Sequence, residues 1–278
     1  MIRYCAFADE ASKNIPEQIE AMKRNGISML EIRGVDGTNI SQITAEKAKE
    51  VRGLLDAAGL SVWSMGSPIG KISLADDFEP HVEEFKRILE YADILGASKI
   101  RLFSFFPIEG ETNEQTCERA IERLAKLCEL TPDGIVLCHE NEKKIFGETA
   151  ENCLAVHKAL PKVRAVFDPA NFVQCGVDTK YAWDMLRERT EYLHIKDALA
   201  DGTVVPAGEG IGNLPFIISD YIACGGKLMT LEPHLMDFIG LGALENGKNI
   251  YLGKRYKDNA SAFSAAAKSL FDIINAIK

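Results

Sequence analysis

GIVLCHEN, at residues 134–141, is the stretch that decides the fold, because five small or apolar residues run directly into three polar ones. A strand that is buried on both faces of a parallel sheet has this continuous apolar character. In α/β proteins the functional side chains lie just beyond the carboxyl ends of such strands. Glu140 therefore stands where a functional carboxylate is expected.

The same pattern recurs three times further along the chain. The segments are VRAVFD at 163–168, EYLHIKD at 191–197 and KLMTLEP at 227–233. Each contains one residue that can bind a divalent metal ion. Together with Glu140, these residues are Asp168, His194 and Glu232.

Strand-like and helix-like segments alternate along the whole chain and give eight predicted strand–helix pairs. Thr44 is a predicted helix N-cap, and helices are expected to stop at Gly26, Gly59 and Gly96 because glycine adopts the left-handed conformation easily. Eight pairs of roughly 35 residues each match a (β/α)₈ TIM barrel, an α/β fold. No linker-like composition interrupts the chain, so we expect one domain over residues 1–278.

Three irregular stretches are expected to overhang the carboxyl ends of the strands, where lids are found. They follow predicted strands 4, 7 and 8, at residues 105–113, 199–213 and 234–259.

Composition narrows the classes of function and the cellular setting. The net charge is -9, without a basic stripe, which argues against nucleic acid as a partner. No apolar run approaches the roughly 20 residues of a membrane span, and no signal peptide is recognised, so we expect no membrane association. Seven cysteines without C-x-x-C spacing favour a reducing cytoplasm.

A closed barrel brings the ends of neighbouring strands to one point, so we expect the four candidate ligands to meet there. Three carboxylates and one imidazole form a hard, oxygen-rich site. Such a site suits Mn²⁺ best, with Mg²⁺, Co²⁺ or Zn²⁺ as alternatives. Three carboxylates would repel one another without a cation, so the sequence predicts one bound divalent metal ion.

The chemistry follows from the predicted ligands. A divalent ion can bind the carbonyl and hydroxyl oxygens of an α-hydroxy ketone and stabilise the charge that develops when a neighbouring C–H proton leaves. Glu140 and Glu232, on predicted strands 5 and 8, can remove that proton from one face and return it on the other. This arrangement predicts epimerisation or ketose–aldose interconversion through an enediolate.

Five segments resemble the sugar phosphate isomerase/epimerase family of the xylose isomerase-like TIM barrel superfamily. They are HEN at 139–141, FDPANF at 167–172, LHIKD at 193–197, PAGEG at 206–210 and LEPH at 231–234. The resemblance covers nearly the whole chain. It implies that Glu140, Asp168, His194 and Glu232 bind the metal, that the two glutamates are also the acid/base pair, and that the substrate is a sugar or sugar phosphate. Members are commonly dimers or tetramers, which implies a homodimer or homotetramer.

Other polar residues near the predicted strand ends are candidate substrate contacts. They are Lys196, His139, Asn171, Glu209 and His234. Asn171 stands where some members of the family place a polar residue and free-ketose epimerases place a histidine.

Structural roles stay open for several of these residues. Lys196 can instead pair with Asp197 at the barrel rim, and Glu209 can instead orient His194 or be a loop carboxylate. Strand alternation sends His139 off the face of Glu140. Outside this set, Arg33 and Arg101 can bind a substrate phosphate or hydroxyl, but we rather expect them in surface ion pairs. The helical residues His81 and His157 are expected to face solvent.

Three other functions remain open. A metal-dependent lyase or dehydratase acting on a keto-sugar or inosose shares the first proton abstraction, so the sequence does not separate it from an isomerase. An endonuclease IV-like DNA repair enzyme is disfavoured, because that site needs several zinc ions and many histidines and this chain has five histidines. A barrel that binds a ligand without metal is the third alternative.

Overall fold

A closed barrel of eight parallel strands forms the centre of the molecule. The computed structural model describes residues 2–239 and 255–277. The strands are β1 (Arg3–Ala6), β2 (Met29–Ile32), β3 (Ser61–Gly66), β4 (Lys99–Leu102), β5 (Val136–Glu140), β6 (Arg164–Phe167), β7 (Thr190–Ile195) and β8 (Leu228–Leu231). Each strand pairs with its neighbours in chain order, and β8 pairs with β1 from Arg3–Leu228 onward, which closes the barrel.

Helices cover the outside of the barrel. In the described ranges they are α1 (Ile15–Arg24), α2 (Ala45–Ala58), α3 (Glu79–Leu95), α4 (Asn113–Leu130), α5 (Ala150–Ala159), α6 (Pro169–Gln174), α7 (Thr179–Leu186), α8 (Leu214–Ala223) and α9 (Asn259–Ile277). The strands and helices confirm the predicted (β/α)₈ TIM barrel. The short helix α6 was not predicted from the sequence.

Helix ends follow the local chemistry of the sequence. The Thr44 side chain accepts a hydrogen bond from the backbone N–H of Lys47 and caps α2, as predicted. Gly59 and Gly96 end α2 and α3 at φ angles of 71° and 73°. These left-handed angles strain any residue with a Cβ atom, so glycine is the natural helix stop at both positions.

The main core lies between the strands and the inward faces of the helices. On α3 the buried apolar residues include Val82, Phe85, Ile88 and Leu95, which are spaced by three, three and seven residues. This spacing places them on one face of the helix. Burying each such side chain contributes about 1.5–3 kcal/mol, so the helix is held chiefly by this face.

A second, smaller apolar cluster fills the lower barrel interior, towards the amino ends of the strands. It consists of Cys5, Cys138, Val166, Tyr192 and Leu228. All seven cysteines are free thiols. Burial raises the pKa of Cys5 and Cys138 well above the usual value, so both act as small neutral core residues.

Two short antiparallel hairpins extend the carboxyl end of the barrel. One pairs Gly34–Val35 with Thr38–Asn39 after β2, and the other pairs Asp197–Ala198 with Val204–Val205 after β7. The expected lid at 234–259 falls partly outside the described residues, since 240–254 are not among them. No helix in the described ranges combines the length and apolar character needed to span a membrane.

Candidate metal centre

The carboxyl ends of β5 to β8 bring the four predicted metal ligands together. Glu140 ends β5, Asp168 directly follows β6, His194 lies one residue before the end of β7, and Glu232 directly follows β8. All four side chains are buried. Their nitrogen and oxygen ligand atoms lie within 4.8 Å of one another.

The imidazole of His194 lies at the middle of this cluster. Its Nδ1 atom is 3.1 Å from Glu140 Oε1, 3.2 Å from Glu232 Oε2 and 3.9 Å from Asp168 Oδ2. Ligand atoms that share one metal ion at about 2.0–2.2 Å lie within about 4.4 Å of each other. The four residues therefore have the chemistry and nearly the spacing that a single divalent cation requires.

The two carboxylate oxygens of Asp168 have different roles in the structure. Its Oδ1 atom accepts a hydrogen bond from the backbone N–H of Asn171 at 2.8 Å and caps α6. Its Oδ2 atom lies in the cluster, 2.9 Å from Lys196 Nζ. The Asn171 side chain donates to Glu140 Oε1 and to the backbone oxygen of Asn141, so α6 helps to fix the ligand on β5.

Two buried arginines hold the outer oxygens of the two glutamates. Arg101 Nη1 donates to Glu140 Oε2 at 2.9 Å, and Arg33 Nη1 donates to Glu232 Oε1 at 3.1 Å. The Phe7 ring lies against both guanidinium groups, at 4.4 Å from Arg33 and 5.5 Å from Arg101. The expectation of surface ion pairs for these arginines was wrong, because both side chains point into the barrel mouth, where carboxylates balance their charge.

Burial and neighbouring charges shift the acidities of the four candidate ligands. Burial alone would raise the pKa of both glutamates. His194 and Arg101 instead lower the pKa of Glu140. Lys196 and His194 lower the pKa of Glu232. Burial raises the pKa of Asp168 to about 7, against the opposing effect of Lys196. Burial would lower the pKa of His194, but Glu140 and the other carboxylates raise it well above the usual value. Both glutamates are therefore ionised at neutral pH.

Beneath His194, a buried polar group on the floor of the site was not predicted. Glu31 Oε2 lies 3.2 Å from His194 Nε2, and Glu31 Oε1 accepts a hydrogen bond from the Tyr192 hydroxyl at 2.7 Å. Ser64 Oγ lies 3.4 Å from the same Oε1 atom. Because side chains alternate along a strand, Glu31 and Arg33 lie on the same face of β2 and its continuation. This spacing was the sequence signal that could have indicated a polar group in the barrel interior.

Two structural alternatives proposed for the loop after β7 were wrong. Glu209 does not orient His194, because its carboxylate is 46% exposed and pairs with Arg255. Asp197 does not pair with Lys196. Its carboxylate instead accepts backbone N–H groups of the glycine-rich loop, from Gly208, Gly210 and Gly212. The PAGEG segment is therefore folded around Asp197, while Lys196 turns towards the candidate metal centre, where it contacts Asp168 and Glu232.

His139 lies on the opposite side of β5 from Glu140, as alternation indicates, and away from the metal centre. Its ring packs against His157, with centroids 5.6 Å apart. His157 and His81 are both buried, so the expectation that they face solvent was wrong. They lie on the inward faces of α5 and α3, where His81 Nε2 accepts a hydrogen bond from the backbone N–H of Gly70.

His234 lies beside the metal centre and belongs to a second group that could hold a metal ion, with Glu10 and Glu232. Its Nε2 atom is 3.4 Å from Glu232 Oε1. Burial would lower the pKa of His234, but Glu10 raises it to about 9. Arg33 also contacts Glu10 at 3.1 Å, so positive side chains already balance the carboxylates of this second group.

A cavity of about 580 Å³ adjoins the candidate metal centre through Arg33, which lines the cavity and donates to Glu232. Its walls combine charged groups with aromatic rings, including Asp9, Arg33, Lys71, Phe106 and Phe238. This volume is within the range of small-molecule sites.

The chain is similar to known proteins in sequence pattern and in fold. The family model for the xylose isomerase-like TIM barrel matches residues 19–222. None of the curated proteins compared with the chain gives a sequence match.

Solved structures share the fold at low sequence identity. The IOLI protein with a bound zinc atom has a TM-score of 0.77 and 14% identity, over 100% of this chain and 99% of that one. The probable 3-DHS dehydratase AsbF from Bacillus anthracis has a TM-score of 0.74 and 18% identity, over 97% and 99%. D-psicose 3-epimerase from Clostridium cellulolyticum H10, solved with D-tagatose, has a TM-score of 0.73 and 16% identity, over 100% of both chains.

Proposed function

This chain belongs to the xylose isomerase-like TIM barrel family, and from that premise we propose that it is a divalent-metal-dependent isomerase or epimerase of a sugar or sugar phosphate. The observation that carries the proposal is the convergence of Glu140, Asp168, His194 and Glu232 within 4.8 Å. We propose these four residues as the metal ligands. We also propose that residues 1–278 form one catalytic domain.

The donor set suggests which metal ions the centre would accept. Three carboxylates and one imidazole suit Mn²⁺, and also Mg²⁺, Co²⁺ or Zn²⁺. The similar IOLI structure holds zinc. When bound, such an ion would stabilise negative charge that develops on a substrate oxygen.

The two glutamates would move the substrate proton. Both are ionised at neutral pH, because the cations around them lower their pKa values, so either can accept a proton. Arg101 and Arg33 would keep each carboxylate in a fixed orientation through its outer oxygen. A proton removed by one glutamate and returned by the other changes the configuration of the carbon, which is epimerisation.

Several polar groups beside the candidate metal centre would bind and orient the substrate. Lys196, Asn171 and His234 border the metal centre and are the substrate contacts we propose from the predicted set. His139 and Glu209 lie away from it. By resemblance to the family we also propose a homodimer or homotetramer, which sedimentation velocity would test.

A lyase is the second candidate, and Lys196 is the observation that favours it. Its ammonium group lies 2.9 Å from Asp168 Oδ2 and 3.2 Å from Glu232 Oε2. A cationic acid beside the proposed base can protonate a leaving hydroxyl, which converts proton abstraction into loss of water.

A substrate panel would test the proposal and separate the two reactions. The protein is stripped of metal, reloaded with Mn²⁺, Mg²⁺, Co²⁺ or Zn²⁺, and incubated with ketoses, ketose phosphates and inososes in D₂O. Deuterium at the epimerised or isomerised carbon supports the proposal, whereas loss of water identifies a lyase. Glu140→Gln and Glu232→Gln should each abolish turnover, and the exposed Glu209→Gln is the matched control. Full activity in metal-free protein would refute the proposed function.

A further inference from the structure

We infer that Glu31 is a positioning residue that orients His194 for metal binding, an inference that rests on the proposed metal-dependent function. Glu31 would accept the proton on His194 Nε2 and so leave Nδ1 available to the metal. Glu31 lies on β2, across the barrel interior from the four candidate ligands on β5 to β8.

The two ring nitrogens of His194 face different carboxylates. Nδ1 lies 3.1 and 3.2 Å from the carboxylates of Glu140 and Glu232. Nε2 points the other way, to Glu31 Oε2 at 3.2 Å. A neutral imidazole carries one proton, and the hydrogen bond made by one nitrogen decides which nitrogen is left to bind a metal. Once a metal ion takes the place of the proton on Nδ1, a carboxylate at Nε2 holds the remaining proton there, and the Nδ1 lone pair faces the candidate ligands.

Glu31 is itself held in place from below. Its Oε1 atom accepts the Tyr192 hydroxyl at 2.7 Å and lies 3.4 Å from Ser64 Oγ. Glu31, Tyr192 and Ser64 are all fully buried, with 0% exposure. A carboxylate with donors on one oxygen and an imidazole on the other has a single favourable orientation.

The cost of burying Glu31 indicates that it serves more than packing. An ionised carboxylate buried without compensation destabilises a folded protein, so an apolar residue would make a more stable barrel floor. The hydrogen bonds to Tyr192 and His194 offset this cost. Carboxylates that bind the second nitrogen of a metal-binding histidine fix the ring and raise its basicity, and their loss typically weakens metal binding ten- to a hundredfold.

Metal titration of two variants would test the inference. Glu31→Gln removes the carboxylate charge beside His194 Nε2, whereas the control Glu209→Gln makes the same change at the exposed carboxylate that pairs with Arg255. We expect Glu31→Gln to raise the Kd for Co²⁺ ten- to a hundredfold and to alter the visible absorption spectrum of the Co²⁺ protein. Glu209→Gln should leave the Kd for Co²⁺ unchanged.

The outcomes separate this inference from the proposed function. Equal Co²⁺ affinity for the wild type and Glu31→Gln would overturn the role of Glu31 and leave the metal-dependent function intact. Failure of the wild type to bind Co²⁺, Mn²⁺ or Zn²⁺ would refute the proposed function itself. Thermal unfolding of the metal-free variants is the control for folding, and similar melting temperatures for the two variants would show that the loss of affinity is not general destabilisation.

A measurement on the wild type keeps the inference testable even where Glu31→Gln does not fold. The five histidines are labelled with ¹⁵N, and His194 is assigned from the signal lost in His194→Asn. In the Zn²⁺ protein we expect the proton on Nε2 and metal coordination at Nδ1. The reverse pattern, with Nε2 bound to zinc, would overturn the inference.

Discussion

Replacing Asp168 by asparagine should stabilise the metal-free protein at neutral pH while it removes a proposed metal ligand. Asparagine has nearly the same shape and is an equally good helix N-cap, so the hydrogen bond to the backbone of Asn171 is retained. Lys196 keeps Glu232 as a partner at 3.2 Å. The main change is therefore the loss of one buried negative charge.

The magnitude follows from the acidity of Asp168. Burial raises its pKa from 3.8 to about 7. Between pH 3.8 and pH 7 the folded protein keeps the proton on Asp168, whereas the unfolded chain releases it. The contribution of Asp168 to stability is therefore complete below pH 3.8 and is lost as the pH rises through 7. A shift of roughly three pH units corresponds to about 4 kcal/mol of unfolding free energy above pH 7.

Urea unfolding in EDTA, at several values between pH 4 and pH 8, measures this difference. We expect Asp168→Asn to be more stable than the wild type by about 4 kcal/mol at pH 8, with the difference shrinking towards zero near pH 4. Saturating metal should reverse the order, because only the wild type gains full binding energy. A difference that is independent of pH, or a less stable variant at pH 8, would refute the reasoning.

Three further substitutions test other parts of the structure. Gly66→Ala places a Cβ atom 2.6 Å from the Phe7 ring, so thermal unfolding should show a loss of about 1–3 kcal/mol. Burial lowers the pKa of His157 to about 4, so the contribution of this residue to stability should fall by about 3 kcal/mol from pH 7 to pH 4, and urea unfolding should show that the stability of His157→Gln relative to the wild type rises by this amount over the same range. Glu209→Ala breaks only the exposed pair with Arg255, and calorimetric titration should find its metal affinity unchanged.

The barrel fold, and the location of its four candidate ligands at the strand ends, could be predicted because the sequence patterns that indicate them extend over only a few residues. Apolar runs mark the strands, and Thr44, Gly59 and Gly96 mark helix ends through their own backbone preferences. Parallel strands place all their carboxyl ends on one face. A polar residue at the end of each apolar run, such as Glu140, is therefore directed to a common point without further information.

The network around the candidate metal centre could not be predicted, because its partners are distant in sequence. Arg33 and Glu232 are 199 residues apart, and Glu31 and His194 are 163 apart. The direction of the Arg101 side chain is an example. It points to Glu140 and not to solvent because the closed barrel turns that face of β4 inward.

The sequence by itself determined the architecture and the set of residues at the strand ends, since backbone preference and hydrophobic periodicity act over a few residues. Only the tertiary structure decided which charges neutralise one another and which histidines are buried. His157 illustrates the difference. The sequence does not show whether a helical histidine is on the buried or the exposed face, and only the packing of α5 against the barrel decides it. The energy of a buried charge depends on neighbours within a few ångströms, and chain folding alone assigns those neighbours.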